Sequence, residues 1–316
     1  MTGEEVILER PMNHAEKQAA ELADRVSPET LVRGHEPLAR RTTLRVGGPA
    51  DVYVEPASEA DLSAVLQFCH EHSLKFFILG RGSNLVVRDG GFRGVVICLT
   101  HPVFSRVQVE GTKLRCGAGA RLKQVATEAR RQGLSGVEFL EGIPGSVGGA
   151  LRMNAGAMGG ATFDAVESVR IMDHARQVRE LAASEIQVEY RSCPLFRDHI
   201  ALGAVFKCTP APCEEIERRM NEFSRKRWDS QPAAASAGCM FKNPPAIPAG
   251  KLIDELGLKG TKVGGAMVSL EHGNFLVNTG NATARDVLQL IEQLRQHARE
   301  ARGIELHTEV EVIGEE

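Results

Sequence analysis

The chain contains 316 residues, of which 42% are hydrophobic and 25% charged, so it is long enough for two or three domains with sizeable cores. Its net charge of −3 lacks the concentrated basic surplus typical of nucleic-acid-binding proteins, so we expect no nucleic acid partner. No apolar run reaches the ~18 residues that a membrane-spanning helix needs, so we expect no membrane partner either.

The cysteine pattern and the first residues of the chain indicate in which cellular compartment the protein acts. The start of the chain lacks the basic residues and apolar stretch of a secretory signal. The cysteine count is seven, an odd number, and no pair has C-x-x-C spacing. We therefore expect a cytoplasmic protein with reduced thiols, without a disulfide framework and without a metal site.

The first third of the chain predicts a β-α-β-turn-β unit. Residues 1–36 are polar, and we expect a weakly ordered leader with one helical segment near residues 13–25. Ser58-Glu-Ala-Asp61 is typical of a helix start, and the apolar residues over 62–69 then recur at the spacing of one helix face. Strands are predicted at residues 51–55, 76–79, 85–87 and 95–99.

A second α+β block is predicted over residues 105–212. It contains a helix from Leu122 that Gly133 ends, and strands at residues 166–172 and 200–207. The glycine-rich stretch from Gly142 to Gly160 has no helical or strand periodicity, which indicates an irregular backbone surface.

The last third begins after a boundary near Ala211. A charged helix follows to about Trp228, and a long amphipathic helix begins at Thr283 and ends at Gly303. A final strand is predicted at residues 309–313. Such a short strand is stable only within an existing sheet, so we expect residues 304–316 to pack back against an earlier domain.

Two glycine-rich loops indicate a phosphate-bearing ligand. Gly80-Arg-Gly-Ser-Asn84 joins two strands and lacks both the third glycine and the following helix of a Rossmann fingerprint. Its glycines permit positive φ, so that backbone N–H groups can converge on an anion, although an ordinary tight hairpin fits as well. Gly142-Ile-Pro-Gly-Ser-Val-Gly-Gly149 has four glycines in eight residues and no charge. Two such loops favour a large dinucleotide over the alternative of a flexible surface loop.

Six motifs occur along the chain in register. They are Ile78-Leu-Gly-Arg-Gly-Ser-Asn-Leu85, Glu141-Gly-Ile-Pro-Gly-Ser-Val-Gly-Gly-Ala150, Tyr190-Arg-Ser192, Gly238-Cys-Met-Phe-Lys-Asn-Pro244, Gly264-Gly-Ala266 and Glu309-Val-Glu-Val-Ile-Gly314. By these motifs the chain is similar to UDP-N-acetylenolpyruvoylglucosamine reductases, also called UDP-N-acetylmuramate dehydrogenases, from about residue 42 to residue 314. The short segment between Tyr190 and Arg227 lacks an inserted tyrosine loop and resembles the shorter branch of the family.

The resemblance implies an α+β fold that is not a Rossmann fold. It implies an FAD-binding domain of the vanillyl-alcohol-oxidase (PCMH) type over residues 37–212, made of subdomains at about 37–104 and 105–212. A smaller α+β substrate-binding domain would cover residues 213–303, and the strand of residues 304–316 would return near the active site. We expect a monomer.

The resemblance also implies the reaction and the ligands. NADPH would reduce non-covalently bound FAD and leave, and the enolpyruvyl ether of UDP-N-acetylglucosamine would then enter. Hydride would pass from flavin N5 to the β-carbon of the enolpyruvyl group, and UDP-N-acetylmuramate would form for peptidoglycan synthesis. The implied FAD ligands are Gly80, Arg81, Gly82, Ser83, Asn84, Leu85, Gly142, Ile143, Pro144, Gly145, Ser146, Gly149, Asn154 and Gly156.

Three residues are expected to act on the reacting carbons. Hydride addition leaves negative charge on the α-carbon and the adjacent carboxylate, and the always-charged guanidinium of Arg191 can hold it, although an isolated arginine often forms only a surface salt bridge. The resemblance places Glu309 at the developing enol, where a protonated carboxyl with a raised pKa is needed. By pattern alone, Glu309 is a solvent-facing strand residue, and only the resemblance separates it from Glu311.

Cys239 departs from the serine usual in the family. A thiol is a stronger acid than an aliphatic hydroxyl, so we keep for Cys239 the role of proton donor to the α-carbon, against the alternative of a small buried apolar residue.

The family match also assigns substrate contacts to Tyr190, Arg227, Asn243 and His272. Arg227 also fits a solvated helix face, His272 an ordinary loop histidine, and Lys242 either a phosphate ligand or a flanking residue.

Two other functions stay open. One is an FAD-linked oxidase or dehydrogenase of the same fold, and the other is a non-catalytic nucleotide-binding module.

Overall fold

The computed structural model describes residues 13–316, and the first twelve residues of the predicted leader lie outside this part. Within residues 13–316, the α-helices are α1 (His14–Ala23), α2 (Glu59–Glu71), α3 (Pro102–Ser105), α4 (Leu122–Arg131), α5 (Val147–Met153), α6 (Thr162–Ala165), α7 (Cys213–Ser230), α8 (Ala249–Glu255) and α9 (Ala284–Arg302).

The strands of the same part are β1 (Leu31–Pro37), β2 (Pro49–Glu55), β3 (Phe76–Leu79), β4 (Leu85–Val87), β5 (Phe92–Cys98), β6 (Val107–Glu110), β7 (Lys113–Gly117), β8 (Leu134–Ser135), β9 (Gly156–Ala157), β10 (Gly160–Ala161), β11 (Val166–Met172), β12 (Val178–Ala182), β13 (Ile200–Lys207), β14 (Thr209–Pro210), β15 (Ser236–Cys239), β16 (Lys262–Val263), β17 (Ala266–Val268), β18 (Phe275–Asn278) and β19 (Glu311–Ile313).

The first sheet has the order β1-β2-β5-β3, in which β1 is antiparallel and β2, β5 and β3 are parallel. The prediction of a weakly ordered leader is wrong for residues 13–36. Asn13 caps α1 by accepting a hydrogen bond from the Glu16 backbone N–H at 2.9 Å, and the apolar face of α1 buries Leu22. β1 then pairs with β2 over its full length, so this segment is part of the first sheet.

The second sheet is antiparallel, with the order β12-β11-β13-β7-β6. The predicted strands at residues 166–172 and 200–207 are confirmed as β11 and β13. β13 is buried along almost its whole length, because α4 and α5 lie over this sheet and contribute Leu122, Val125 and Leu151 to the same core. The two sheets share one large hydrophobic core.

The third sheet, β15-β18-β17-β16, packs against α8 and α9 around a separate core. Thr283 begins α9 as expected, with its hydroxyl accepting from the Asp286 N–H at 3.1 Å, and Gly303 ends it at φ +63°. α7 differs from the prediction that the last domain starts at residue 213. Ile216 and Met220 of α7 are buried in the core of the first two sheets, so this helix packs with the preceding domain.

The end of the chain returns to the first domain. β19 pairs in parallel with β4, which agrees with the expectation that the terminal residues pack against an earlier sheet. The predicted strand bounds are wrong at one end, because the strand begins at Glu311 and Glu309 lies in the turn before it. Leu44, Val46 and Val86 from the first domain join the core of the third sheet, which fixes the two parts against each other.

The glycine-rich stretch is more regular than its lack of periodicity indicated. It contains α5, which begins after Ser146 and ends at Asn154 in the left-handed conformation, at φ +37°. All seven cysteines are free thiols. Among the helices of residues 13–316, none combines the length and apolar character needed to cross a membrane.

Candidate active site

A cleft of about 890 Å³ opens where the two glycine loops face β15 and the turn before β19. Most of the predicted FAD ligands line it, as do Arg191, Arg227, Cys239 and Glu309. The predicted FAD ligands in its wall are Gly80, Arg81, Gly82, Ser83, Asn84, Leu85, Gly142, Ile143, Pro144, Gly145, Ser146, Gly149 and Gly156.

The two glycine loops touch each other, and their close approach requires glycine. Gly82 has φ +61°, and a Cβ at this position would lie 2.5 Å from the carbonyl oxygen of Arg41. A Cβ on Gly80 would lie 2.9 Å from the Ser146 hydroxyl of the other loop. At these two positions the loops therefore carry no side chain, which suits backbone N–H groups that approach a diphosphate.

Arg191 and Glu309 face each other in the wall of the cleft. The Arg191 Nε lies 3.3 Å from a Glu309 carboxylate oxygen, and its Nη1 donates to the Gly156 carbonyl at 3.0 Å. The Arg191 backbone is in the left-handed region at φ +57°, an uncommon conformation for a residue with a side chain. Such strain persists where the surroundings hold it, and is frequent at functional sites.

Hydrogen bonds hold the backbone of Glu309 close to Cys239. The Glu309 N–H donates to the carbonyl of Met240, the residue after Cys239, at 2.8 Å. The side-chain amide of Asn84 donates to the Glu309 carbonyl at 3.1 Å. The glycine loop, the turn before β19 and the end of β15 are thus tied together. The structure therefore brings together the three residues predicted to act on the reacting carbons.

Burial sets the protonation of two of these groups. It raises the pKa of the Cys239 thiol to about 12, with the Glu309 carboxylate acting in the same direction and Arg191 opposing it. Burial also raises the pKa of the Glu309 carboxyl, against the lowering effects of Arg191 and Lys242. The thiol is therefore protonated at neutral pH, and the carboxyl binds a proton more readily than an exposed glutamate does.

The charge and hydrogen-bonding state of the cleft fit large anionic ligands. Six arginines line it and only two glutamates do, Glu309 and Glu311. Among residues 13–316, the buried side-chain polar atoms without a hydrogen-bond partner are Thr42 Oγ1, Glu141 Oε2 and Arg191 Nε. Thr42 and Arg191 are in the cleft wall, where a ligand can satisfy them. The cleft therefore fits an anionic cofactor such as FAD.

The predicted substrate contacts divide into two groups. Arg227 lines the cleft, and its Nε donates to the Gln231 side chain at 3.2 Å. Tyr190 is outside the wall and is 60% exposed, with its ring centroid 5.6 Å from the guanidinium carbon of Arg191. Asn243 and His272 are also outside the wall. The structure therefore brings only Arg227 of these four residues to the cleft.

Asn154, Asn243 and His272 make contacts that support the fold. Asn154 ends α5 through its left-handed backbone, and its side-chain oxygen accepts from the Phe163 N–H at 3.2 Å. The Asn243 oxygen accepts from Ala249 N–H at 3.0 Å, at the start of α8, and His272 Nδ1 accepts from Asn274 N–H at 3.1 Å. These local contacts account for all three residues without any bound ligand. The ligand roles of the three residues therefore stay predictions.

The cleft also contains residues that sequence reasoning missed. Thr42 lies outside every predicted strand and belongs to no motif. Arg152 and Glu311 form an ion pair in the wall, with 2.6 Å between Nη2 and Oε1. Trp228 belongs to a helix whose other residues are mostly charged or polar. A single tryptophan in such a helix is a sequence signal that could have marked it as a candidate site residue.

Comparisons with known proteins show the family of the chain. Residues 231–313 match the family model described as the C-terminal domain of UDP-N-acetylenolpyruvoylglucosamine reductase, and residues 50–181 match a model described as an FAD binding domain. The UDP-N-acetylenolpyruvoylglucosamine reductase of Clostridium novyi (strain NT) is 42% identical over 277 residues, which cover 87% of this chain and 90% of the relative. That of Geobacillus kaustophilus (strain HTA426) is 39% identical over 307 residues, which cover 96% and 100%.

A solved structure shows the same fold. The crystal structure of UDP-N-acetylenolpyruvylglucosamine reductase from Thermus caldophilus matches with a TM-score of 0.78 at 40% identity, covering 90% of this chain and 98% of that one. These findings confirm the α+β FAD-binding fold of the vanillyl-alcohol-oxidase type. The chain therefore belongs to the UDP-N-acetylenolpyruvoylglucosamine reductase family, and it is an oxidoreductase with FAD as its cofactor.

Proposed function

We propose that the chain uses NADPH to reduce the enolpyruvyl ether of UDP-N-acetylglucosamine to UDP-N-acetylmuramate, a precursor of peptidoglycan. The observation that carries this proposal is the meeting of Arg191, Glu309 and Cys239 in one cleft with the glycine loops. An oxidase or dehydrogenase of simple alcohols has no need for this trio. We place the activity in the cytoplasm and expect a monomer.

FAD, when bound, supplies the hydride that the β-carbon of the enolpyruvyl group receives. The residues predicted to hold it are the two glycine loops, with Asn84 and Ser146 among them. At Gly80 and Gly82 a Cβ would meet neighbouring protein atoms, so these two positions require glycine. The cleft of about 890 Å³ also suits a scheme in which NADPH and the UDP-sugar occupy the same space in turn.

Arg191 is proposed to stabilise the charge that develops on the substrate carboxylate. Its Nη1 is held by the Gly156 carbonyl, while its buried Nε lies 3.3 Å from a Glu309 oxygen without meeting hydrogen-bond geometry. A guanidinium held in place by these two neighbours is preorganised to meet the charge of a substrate carboxylate. Such preorganised charge is worth more in a dry site than in water, because no solvent has to reorganise during the reaction.

Cys239 is proposed to donate the proton to the α-carbon. With a pKa of about 12, its thiol is fully protonated at neutral pH. The thiolate left after donation lies near Arg191, whose charge lowers its energy, and a proton from solvent then restores the thiol. The Glu309 carboxyl, with its raised pKa, is proposed to donate a hydrogen bond to the enol oxygen as charge develops.

The test is a pair of anaerobic half-reactions on the purified protein. A yellow preparation that NADPH bleaches, and whose colour returns only when the enolpyruvyl UDP-sugar is added, supports the proposal. Return of colour with a simple alcohol's oxidation product, or none with the UDP-sugar, contradicts it. A colourless preparation that binds no flavin supports a non-catalytic nucleotide-binding module.

A further inference from the structure

Trp228 is an exposed aromatic side chain in the wall of the cleft. It is the single tryptophan of the sequence, in the last turn of α7, and is 59% exposed. An indole leaves a large apolar surface in water when it is not covered, which is unfavourable. An exposed aromatic within a ligand-sized cleft, rather than on an open surface, indicates a ring that stacks on a ligand.

The residue beside it supplies the second half of a nucleotide-binding arrangement. The guanidinium carbon of Arg227 lies 5.3 Å from the centroid of the indole ring, and Gln231 holds the Arg227 Nε at 3.2 Å. Arg227 is half-buried and also lines the cleft. An arginine that can pair with phosphate oxygens thus stands next to a flat aromatic surface, as the diphosphate and the base of a nucleotide require.

The wall connects this pair to the reacting end of the site. Every residue from Gln231 to Cys239 lines the cleft. Pro232 and the alanines 233–235 give this part of the wall small, apolar side chains. An elongated ligand whose reacting group lies at Cys239 can therefore extend along the wall to Trp228. In the enolpyruvyl UDP-sugar, the nucleotide and the enolpyruvyl group likewise lie at opposite ends of an elongated molecule.

We propose that the Trp228 indole is the surface on which the uracil ring of the UDP-sugar stacks, while Arg227 faces the diphosphate. This proposal rests on the proposed function for the identity of the substrate. It adds a residue that determines specificity for the nucleotide and takes no part in the chemistry.

The first test uses the fluorescence of the single tryptophan in the oxidised holoenzyme, where the flavin background is constant. Titration with UDP should quench the emission to saturation, and inorganic pyrophosphate, which has no base, should leave it nearly unchanged. Equal quenching by pyrophosphate would show that the signal reports only charge near Arg227 and would overturn the proposal. Quenching by ADP but not by UDP would assign the ring to the dinucleotide reductant and would also overturn it.

The second test is kinetic. Stacking on an aromatic side chain is worth about 1–3 kcal/mol per base by alanine substitution, so Trp228→Ala should raise KM for the UDP-sugar roughly 5- to 100-fold. The effect on kcat should be much smaller, and Trp228→Phe should recover most of the affinity. Lys226→Ala, an exposed change in the same helix, is the matched control and should behave as wild type.

The outcome separates the two proposals. An unchanged KM in Trp228→Ala, with normal turnover of the UDP-sugar by the wild-type enzyme, refutes the stacking role alone. Failure of the wild-type enzyme to turn over the UDP-sugar refutes the proposed function instead.

Discussion

Replacement of Cys239 by alanine tests the proton donor directly. A positioned general acid typically contributes about 10²- to 10⁴-fold, so oxidation of the reduced flavin by the enolpyruvyl UDP-sugar should slow at least ~100-fold. Reduction by NADPH needs no donor at this position and should keep its rate. The change removes one atom from a partly buried side chain, so a stability loss of about 1 kcal/mol is expected, which leaves the fold intact.

Stopped-flow absorbance under anaerobic conditions separates the two half-reactions. Cys239→Ser is the matched control, because a hydroxyl keeps a proton at the same place, and it should retain far more activity than the alanine variant. The wild-type rate should show no fall near pH 8.5, since burial keeps the thiol protonated up to a pKa of about 12. Wild-type turnover in Cys239→Ala, or a thiol-dependent fall in rate near pH 8.5, would refute this reasoning.

Glu309→Gln should slow the same half-reaction by at least ~100-fold. It should also remove any fall in rate that occurs as pH rises through the raised pKa of Glu309. A pH profile equal to that of wild type would contradict the role of Glu309. Gly82→Ala should reduce flavin content and lower Tm more than Gly111→Ala. Both residues have positive φ, but only Gly82 has backbone within 3 Å of the new Cβ. Absorbance ratios measure the flavin content and thermal scans measure Tm, and equal losses in the two variants would contradict the prediction. Cys239 should resist iodoacetamide at pH 8 while exposed Cys213 reacts, as peptide mass spectrometry can show. The buried neutral thiol of Cys239 contributes stability that is complete below its unfolded pKa of ~9 and is lost as pH rises toward 12. By pH 10, the free energy of unfolding of wild type should therefore fall by about 1 kcal/mol more than that of Cys239→Ala, as denaturant titrations can measure.

Elements with a periodic apolar face were predictable, and elements defined by their neighbours were not. α2, α4 and α9 expose one repeating face to the core, which the spacing of apolar residues shows directly. β1 carries the charged sequence Leu-Val-Arg-Gly-His-Glu-Pro and forms because β2 supplies a partner along its whole length. α5 contains two glycines that disfavour a helix, and one of them, Gly148, packs so close to Ala118 that a Cβ there would lie 3.1 Å from the alanine methyl.

The candidate site shows the same division. The motifs predicted the glycine loops, Arg191 and Cys239 from their residue types, and only the family resemblance separated Glu309 from Glu311. They assigned Asn243 and His272 to a substrate by family position, and the structure shows both in local contacts outside the cleft. Trp228 and Thr42 belong to no motif. The lone tryptophan is a signal in the sequence, but only the structure places both residues in the cleft wall.

The sequence by itself determined the secondary structure of the periodic segments, the places where only glycine fits, and the residue types available for proton and charge chemistry. Only the tertiary structure decided that Arg191, Cys239 and Glu309 meet, because β19 pairs with β4 and the Glu309 backbone bonds to Met240. It also decided the protonation of Cys239 and Glu309. Desolvation depends on everything that surrounds a group, and residues distant in the chain bury the thiol of Cys239 and the carboxyl of Glu309.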